Sequence, residues 1–393
     1  MKGTDRTPSC LAALAVLAGA VLGGCAAGNA APDVLAPALT PEEARAPAAV
    51  AAMPALTAPT AATSRALAQA IPDFPGAATA VGSDLWRRER ERLQLRGELD
   101  DRPLYWSRLA ALATLARDCP PRPTCKDAVT RFELASRGAL DTTFSAGTPL
   151  RILLTGFDPF GLDRHIDQSN PSGVAALALD GRVIGVGKRR AEIQSLLFPV
   201  RFVDFDEGLV ERVLEPLLQT GTIDYLVTLS MGRDAFDLER FPGRRRSAEA
   251  PDNLSVRTGA SAQRPLIPRL GDGPLPGPEF VEFSLPAAAM MRVQSPWPVR
   301  DNHRVTTLER GTFEAASLDE LDDQTAVRGG GGGYLSNEIS FRTVRLVREL
   351  GLDLVVGHIH TPRIEGFDTA ALASILDQIE ALLSAAVEQT PEP

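Results

Sequence analysis

Residues 151–161 read R-I-L-L-T-G-F-D-P-F-G. A short apolar run, Ile152–Thr155, stops at a glycine and passes into the turn-forming D-P-F-G, as a buried strand does where it ends in a loop. Runs of the same kind recur at Leu196–Val200, Tyr225–Leu229 and Leu354–Ile359. Between them lie amphipathic stretches of near-helical period, Leu209–Leu218, Ile339–Leu350 and Ala370–Ala386. This alternation predicts an α/β fold over residues 148–389, a sandwich with a mainly parallel sheet. Chemistry in such sheets collects at the carboxyl ends of strands. Three motifs fall there: T-G-F at Thr155–Phe157, S-M-G-R at Ser230–Arg233 and H-I-H-T-P at His358–Pro362.

The chain of 393 residues has room for more than one domain. Its 44% hydrophobic and 23% charged content is that of a globular protein. A net charge of −9 gives no nucleic-acid footprint. Neither a metal site nor a cofactor is expected.

The first 25 residues read as a targeting segment. Lys2 and Arg6 precede a short apolar run, Leu11–Val21, which ends in L-G-G-C at Leu22–Cys25. That junction looks like a bacterial lipobox, so residues 1–25 are expected to be a lipoprotein signal peptide and Cys25 the lipidated residue. The partner at this end is then a membrane, reached through acyl chains. Ala26 after the cysteine points, by resemblance to Gram-negative lipoproteins, to the outer membrane facing the periplasm. No later stretch reads as long and apolar enough to span a bilayer. Residues 26–80, rich in alanine and proline, read as a flexible linker. Residues 81–147 read as a small helical extension. Ser83 is a candidate cap there, Leu104, Tyr105, Leu109, Leu112 and Leu115 make one apolar stripe, and Lys126–Leu134 form a third segment. Export to an oxidising compartment favours a disulfide between Cys119 and Cys125, and the lack of a nearby histidine makes a zinc site the poorer alternative.

The main-domain motifs, taken together with N-P-S (Asn170–Ser172), F-D-L-E-R (Phe236–Arg240), P-D-N (Pro251–Asn253) and G-Y-L-S-N (Gly333–Asn337), resemble the pyroglutamyl peptidases of type I, also called pyrrolidone-carboxylate peptidases. The resemblance implies a phosphorylase/hydrolase-like three-layer sandwich. It also implies a peptide substrate with an N-terminal pyroglutamate. In that family the residue before the asparagine of G-Y-L-S-N is a nucleophilic cysteine; here it is Ser336. His360 follows 24 residues later, at the family's spacing, and Glu239 lies six residues after Arg233, again in register. The resemblance therefore implies Ser336, His360 and Glu239 as the catalytic set: a hydroxyl, the imidazole that takes its proton, and the carboxylate that orients the ring. It places Phe157, Phe160 and Tyr334 around the flat lactam ring, with Asn170 at the pocket edge. A non-catalytic pseudoenzyme that binds capped peptides is the alternative.

His358, beside the family's histidine position, reads as structural. Gly329–Gly333 reads as a flexible approach to the nucleophile, and Asn337 as the cap of the helix that follows. The chain departs from the family at Pro242–Arg244 and at Glu249, which leaves subunit contacts, and hence a homo-oligomer, open. It also carries surplus sequence between Trp297 and Gly333, an expected insertion before Ser336.

Overall fold

The computed structural model describes residues 39–70, 76–118, 123–148, 150–186 and 189–389. The expected signal peptide with Cys25, and Cys119 of the expected disulfide, lie outside the described residues. Cys125 is disulfide-bonded.

The first correction concerns the linker. From residue 40 onward much of it is helical: α1 (Pro41–Ala44), α2 (Ala46–Ala52) and α3 (Thr57–Ala70) precede α4 (Gly76–Arg96), α5 (Arg102–Asp118) and α6 (Pro123–Ala135). Composition misleads here because alanine is also the best helix former. The prolines sit where a helix tolerates them, Pro41 and Pro47 at helix starts and Pro59 in the first turn of α3. Thr40 caps α1 reciprocally: its hydroxyl accepts from Glu43 N at 3.2 Å, and its own N–H donates to the Glu43 carboxylate at 2.8 Å. Ala46, Ala49, Leu56 and Leu67 are buried in the same core as the α/β part, so this segment is scaffold and not tether. Ser83 lies inside α4 and caps nothing; its hydroxyl donates to Asp141. The five apolar residues named for α5 are all buried.

The α/β part begins with β1 (Leu150–Phe157), α7 (Pro171–Leu179), β2 (Val183–Val186), β3 (Arg189–Phe198), α8 (Phe202–Asp206), α9 (Leu209–Leu218), β4 (Tyr225–Met231) and β5 (Phe236–Glu239). A two-residue hairpin, β6 (Arg269–Leu270) and β7 (Gly273–Pro274), and α10 (Ala287–Met290) lead to β8 (Val299–Asn302), β9 (Arg304–Thr307), β10 (Gly311–Glu314) and β11 (Ala326–Arg328). The chain closes with α11 (Leu335–Glu349), β12 (Val355–Thr361) and α12 (Thr369–Val387). The main sheet runs β2-β3-β1-β4-β12-β5-β8 among the described residues. The pairs β3–β1, β1–β4, β4–β12 and β5–β8 are parallel, whereas β2–β3 and β12–β5 are antiparallel. The fold is thus α/β with a mainly parallel sheet flanked by helices. Ile152, Leu153, Leu154, Leu226, Val227 and Leu229 are fully buried, as central strands covered on both faces require.

One helix escaped the sequence reading of membrane spans. At 19 residues α12 is long and apolar enough to cross a bilayer. It instead buries Leu372, Ile375, Ile379, Leu382 and Leu383 in the core and packs on α7.

The expected insertion is two structures. Its start, β8, adds an edge strand to the main sheet, pairing Glu239 with Asn302. The rest forms a small sheet, β10-β9-β11, over a separate cluster of Phe241, Phe280, Val305, Ala315, Leu321 and Ala326.

The helical extension is tied into the α/β part through ionisable groups. Asp101, just before α5, accepts from the Ser169 hydroxyl at 2.6 Å and from the Asn170 N–H at 3.1 Å. Burial, above all, pushes its carboxyl up to about 7. An unfolded aspartate titrates near pH 3.9, about three units lower. Its contribution to stability is therefore fully present below that value and is lost as pH rises through about 7. We expect Asp101→Asn, which removes the charge and keeps one acceptor oxygen for Ser169, to gain on wild type as pH rises. Urea midpoints of the two proteins between pH 5 and pH 8.5 should diverge; a gap that stays constant with pH would contradict the buried charge.

Candidate active site

Glu239 ends β5 and His360 stands on β12, the antiparallel neighbour of β5. The His360 ring Nδ1 is hydrogen-bonded to the Glu239 carboxylate, both groups being buried. A carboxylate so placed fixes the tautomer and leaves Nε2 as the free basic nitrogen. Two glycines make the packing possible. A Cβ on Gly232, in the S-M-G-R motif, would stand 2.7 Å from the His360 Cβ, and one on Gly330 would stand 2.6 Å from the second Glu239 oxygen. That second oxygen accepts from the Asn302 amide at 2.6 Å, and the same amide donates to the Gly330 carbonyl at 3.1 Å. The adjacent Arg240 turns away and pairs with Asp301 and Glu282, at 2.6 and 2.9 Å. Asp237, on the same strand, has its carboxyl raised to about 6, chiefly by burial and then by the nearby Glu239 charge.

Ser336 lies in the first turn of α11. It lines a small, open pocket together with Phe157, Phe160, Asn170, Tyr334 and Ser230. The aromatic residues are brought there by different elements: Phe157 ends β1, Phe160 sits on the loop beyond it, and Tyr334 directly precedes α11. Phe157 stacks on Phe205 at 6.2 Å between ring centroids, and the Tyr334 hydroxyl donates to the Pro251 carbonyl at 2.9 Å. Asn170 caps α7, its side-chain oxygen accepting from Ser172 N at 3.1 Å, while its amide donates to the Asp158 carbonyl at 2.9 Å. It is a wall of the pocket whose polar atoms already serve the fold.

Two expectations about the approach to Ser336 are corrected. Gly329–Gly333 is a close-packed turn and not a flexible lead-in. Gly329 and Gly332 bond one another's backbones at 3.0 Å, and Gly332 has φ 86°. A Cβ on Gly331 would meet the Asn337 Cα at 2.9 Å, and one on Gly333 the Ser247 Oγ at 2.0 Å. Small size, more than freedom, is what this run supplies. Asn337 is not a cap either. Its oxygen accepts from Gly243 N at 2.9 Å and its amide donates to the Gly243 carbonyl at 2.6 Å, which ties α11 to the divergent Pro242–Arg244 segment. The residue preceding α11, Tyr334, makes no side-chain cap.

His358 is fully buried, with Nδ1 2.7 Å from the Thr228 hydroxyl and Nε2 2.7 Å from the Ser230 hydroxyl. Sequence reasoning missed Ser230 and Asn302. Ser230 stood inside the S-M-G-R motif and two residues after Thr228 on one strand face, so it was within reach. Asn302 lies in sequence without periodicity, and nothing there pointed to Glu239.

The extension supports the pocket loop directly. Asp158, between the two pocket phenylalanines, is buried against Arg108 of α5 at 2.9 Å and against Arg137 after α6. Arg108 is held in turn by the Ser136 hydroxyl and carbonyl, each at 2.9 Å. Asn253 of P-D-N donates to the Pro159 carbonyl at 2.9 Å, and its own carbonyl accepts from Arg45 at 2.6 Å.

Comparison with known proteins places these residues in context. The family model described as PA0049, C-terminal domain, matches residues 151–279 and 299–365. The second match takes in β8 to β11, so the segment read as an insertion is part of that family's pattern. An uncharacterized protein of Pseudomonas aeruginosa, PA0049, is 26% identical over 392 residues, covering 75% of this chain and 71% of its own length. Among solved structures, a mutant pyrrolidone carboxyl peptidase from Pyrococcus furiosus aligns over 62% of this chain and all of its own, at 22% identity and a TM-score of 0.41. Pyroglutamyl peptidase I of Bacillus amyloliquefaciens aligns over 61% of this chain and 98% of its own, at 18% identity and a TM-score of 0.42. Likeness at this level speaks to neither activity nor substrate.

Proposed function

We propose that the chain is a pyroglutamyl-peptidase-like hydrolase that removes N-terminal pyroglutamate from peptides, with Ser336 in place of the family's cysteine. The observation that carries this reading is the buried Glu239–His360 hydrogen bond, with His360 paired in the sheet to Ser230 of the aromatic pocket that Ser336 also lines. In the reaction, the Ser336 oxygen attacks the pyroglutamyl carbonyl and its proton passes to His360 Nε2. That proton then goes to the departing amine as the C–N bond breaks. Water, deprotonated by the same nitrogen, cleaves the resulting ester and restores the serine. Glu239 stabilises the imidazolium while it lasts. The flat faces of Phe157, Phe160 and Tyr334 suit an uncharged, nearly planar ring.

One observation favours a second reading. No hydrogen bond joins the Ser336 hydroxyl to the His360 ring among the described residues, although such bonds are often loose without substrate. On that reading the protein is a pseudoenzyme that captures pyroglutamyl-capped peptides. Hydrolysis of a fluorogenic pyroglutamyl amide by the full-length chain in detergent separates the two. Turnover supports the hydrolase, and binding without turnover supports the pseudoenzyme.

We further propose that the protein is tethered to the bacterial envelope by lipid on Cys25, on the outer membrane facing the periplasm. The motivation is the order of n-region, apolar run and L-G-G-C. Cys25→Ser should leave the chain unprocessed or free of membranes on fractionation, without incorporation of labelled palmitate. Unchanged membrane attachment of the variant would refute the anchor.

A further inference from the structure

The proposed reaction leaves one hydroxyl–imidazole pair of this pocket unused. Ser230 lines the pocket beside Ser336, and its hydroxyl is 2.7 Å from His358 Nε2. On the other side of the ring, Nδ1 is 2.7 Å from the Thr228 hydroxyl, which also reaches the Gly357 carbonyl at 3.4 Å. The result is a chain of hydrogen bonds from a backbone carbonyl, through Thr228 and His358, to the pocket wall.

A second nucleophile is the first role to consider, and the physics is against it. His358 is fully buried and has no carboxylate behind it; its ring lies 4.9 Å from that of His360. Burial, reinforced by His360, holds it well below the ordinary imidazole range. A ring that resists protonation is a poor general base. It remains neutral, with one N–H and one lone pair.

A neutral ring lets the protons of the chain run in one direction at a time. If Thr228 donates to the Gly357 carbonyl, His358 Nδ1–H donates to Thr228 and Nε2 accepts from Ser230. Every donor is then satisfied within the protein, and Ser230 turns a lone pair to the pocket. The reverse direction gives up the Gly357 contact and aims the Ser230 O–H at a cavity walled mainly by aromatic and aliphatic side chains. An unpaired donor in such a place is costly.

We propose that Ser230 is a specificity residue that accepts a hydrogen bond from an N–H on the edge of the pocket's occupant, so that the site selects cyclic and secondary amides over esters of the same shape. The inference rests on the lactam-pocket reading above and adds to it a residue and a direction of bonding. The test uses the full-length chain in detergent with two ring probes, 2-pyrrolidone and γ-butyrolactone, which differ by N–H against oxygen. Titration followed by ligand-observed NMR should show the lactam bound about tenfold more tightly, the worth of one good hydrogen bond against an unpaired acceptor. Ser230→Ala should bring that ratio close to one and change lactone affinity little. Independently of any variant, ¹⁵N spectra of the wild-type histidines should show His358 neutral at pH 7 with its proton on Nδ1. A lactam preference that survives Ser230→Ala, equal affinities in wild type, or a proton on Nε2 each overturns the inference and leaves the lactam pocket standing. If neither ring binds, the pocket reading and the inference fall together.

Discussion

Ser336→Ala should lower pyroglutamyl amide hydrolysis by roughly 10⁴–10⁶-fold, the range seen when one member of a catalytic set is removed, while binding of the ring is kept. The effect is large because the serine forms and breaks the covalent bond, and no neighbour takes over. Ser230 is committed to a neutral histidine that resists a second proton. Glu239→Gln should cost activity too, since an amide behind His360 favours the wrong tautomer. Ser336→Cys distinguishes the readings. At the start of α11 the helix field favours a thiolate, whose pKa lies within reach of such tuning, whereas a hydroxyl needs His360 during attack. An inactive wild type that gains turnover as Ser336→Cys is a pseudoenzyme with an intact Glu239–His360 pair. Activity that persists in Ser336→Ala rejects the mechanism outright.

The α/β core was legible because its strands are short, apolar and buried on both faces. Ile152–Thr155 and Leu354–Ile359 pointed to β1 and β12 to within a few residues of their ends. Of the candidate site, Glu239 and His360 were read from the register of the family motifs, and the structure brings them together on neighbouring strands. Residues 41–70 were not, since an alanine- and proline-rich composition describes a tether and a capped helix equally well. Only the burial of Ala46, Ala49 and Leu67 against the rest decides between them. The glycine run misled for a related reason. Glycine is chosen both for freedom and for closeness, and sequence does not say which; the 2.6 Å from a Gly330 Cβ to Glu239 does. Asn302 was out of reach because it meets Glu239 through strand pairing, a relation between two segments 63 residues apart.

Asp158→Ala should destabilise the protein by about 3–5 kcal/mol, because it leaves buried arginine charge without its partner. Arg108 and Asp158 are 0% and 1% exposed, and Arg137 is 3% exposed. Burial alone would raise the Asp158 carboxyl, yet the Arg108 and Arg137 charges outweigh it and hold it below the ordinary range. Its contribution is therefore present above about pH 4 and lost only as acid protonates it, the opposite sign from Asp101. A surface pair sets the scale. Arg87 and Asp84 are more than half exposed, and Arg87→Ala should cost no more than about 1 kcal/mol. Urea unfolding of both variants at pH 7 reads the difference directly. A loss from Asp158→Ala no larger than that from Arg87→Ala would mean that water or a shifted carbonyl compensates the two arginines. The same substitution bears on function, since Asp158 lies between Phe157 and Phe160 in the chain and is clamped by the extension from behind. Ring affinity should fall with stability in Asp158→Ala and stay at the wild-type level in Arg87→Ala. A pocket unaffected by Asp158→Ala would mean that the extension stabilises the fold without shaping the site.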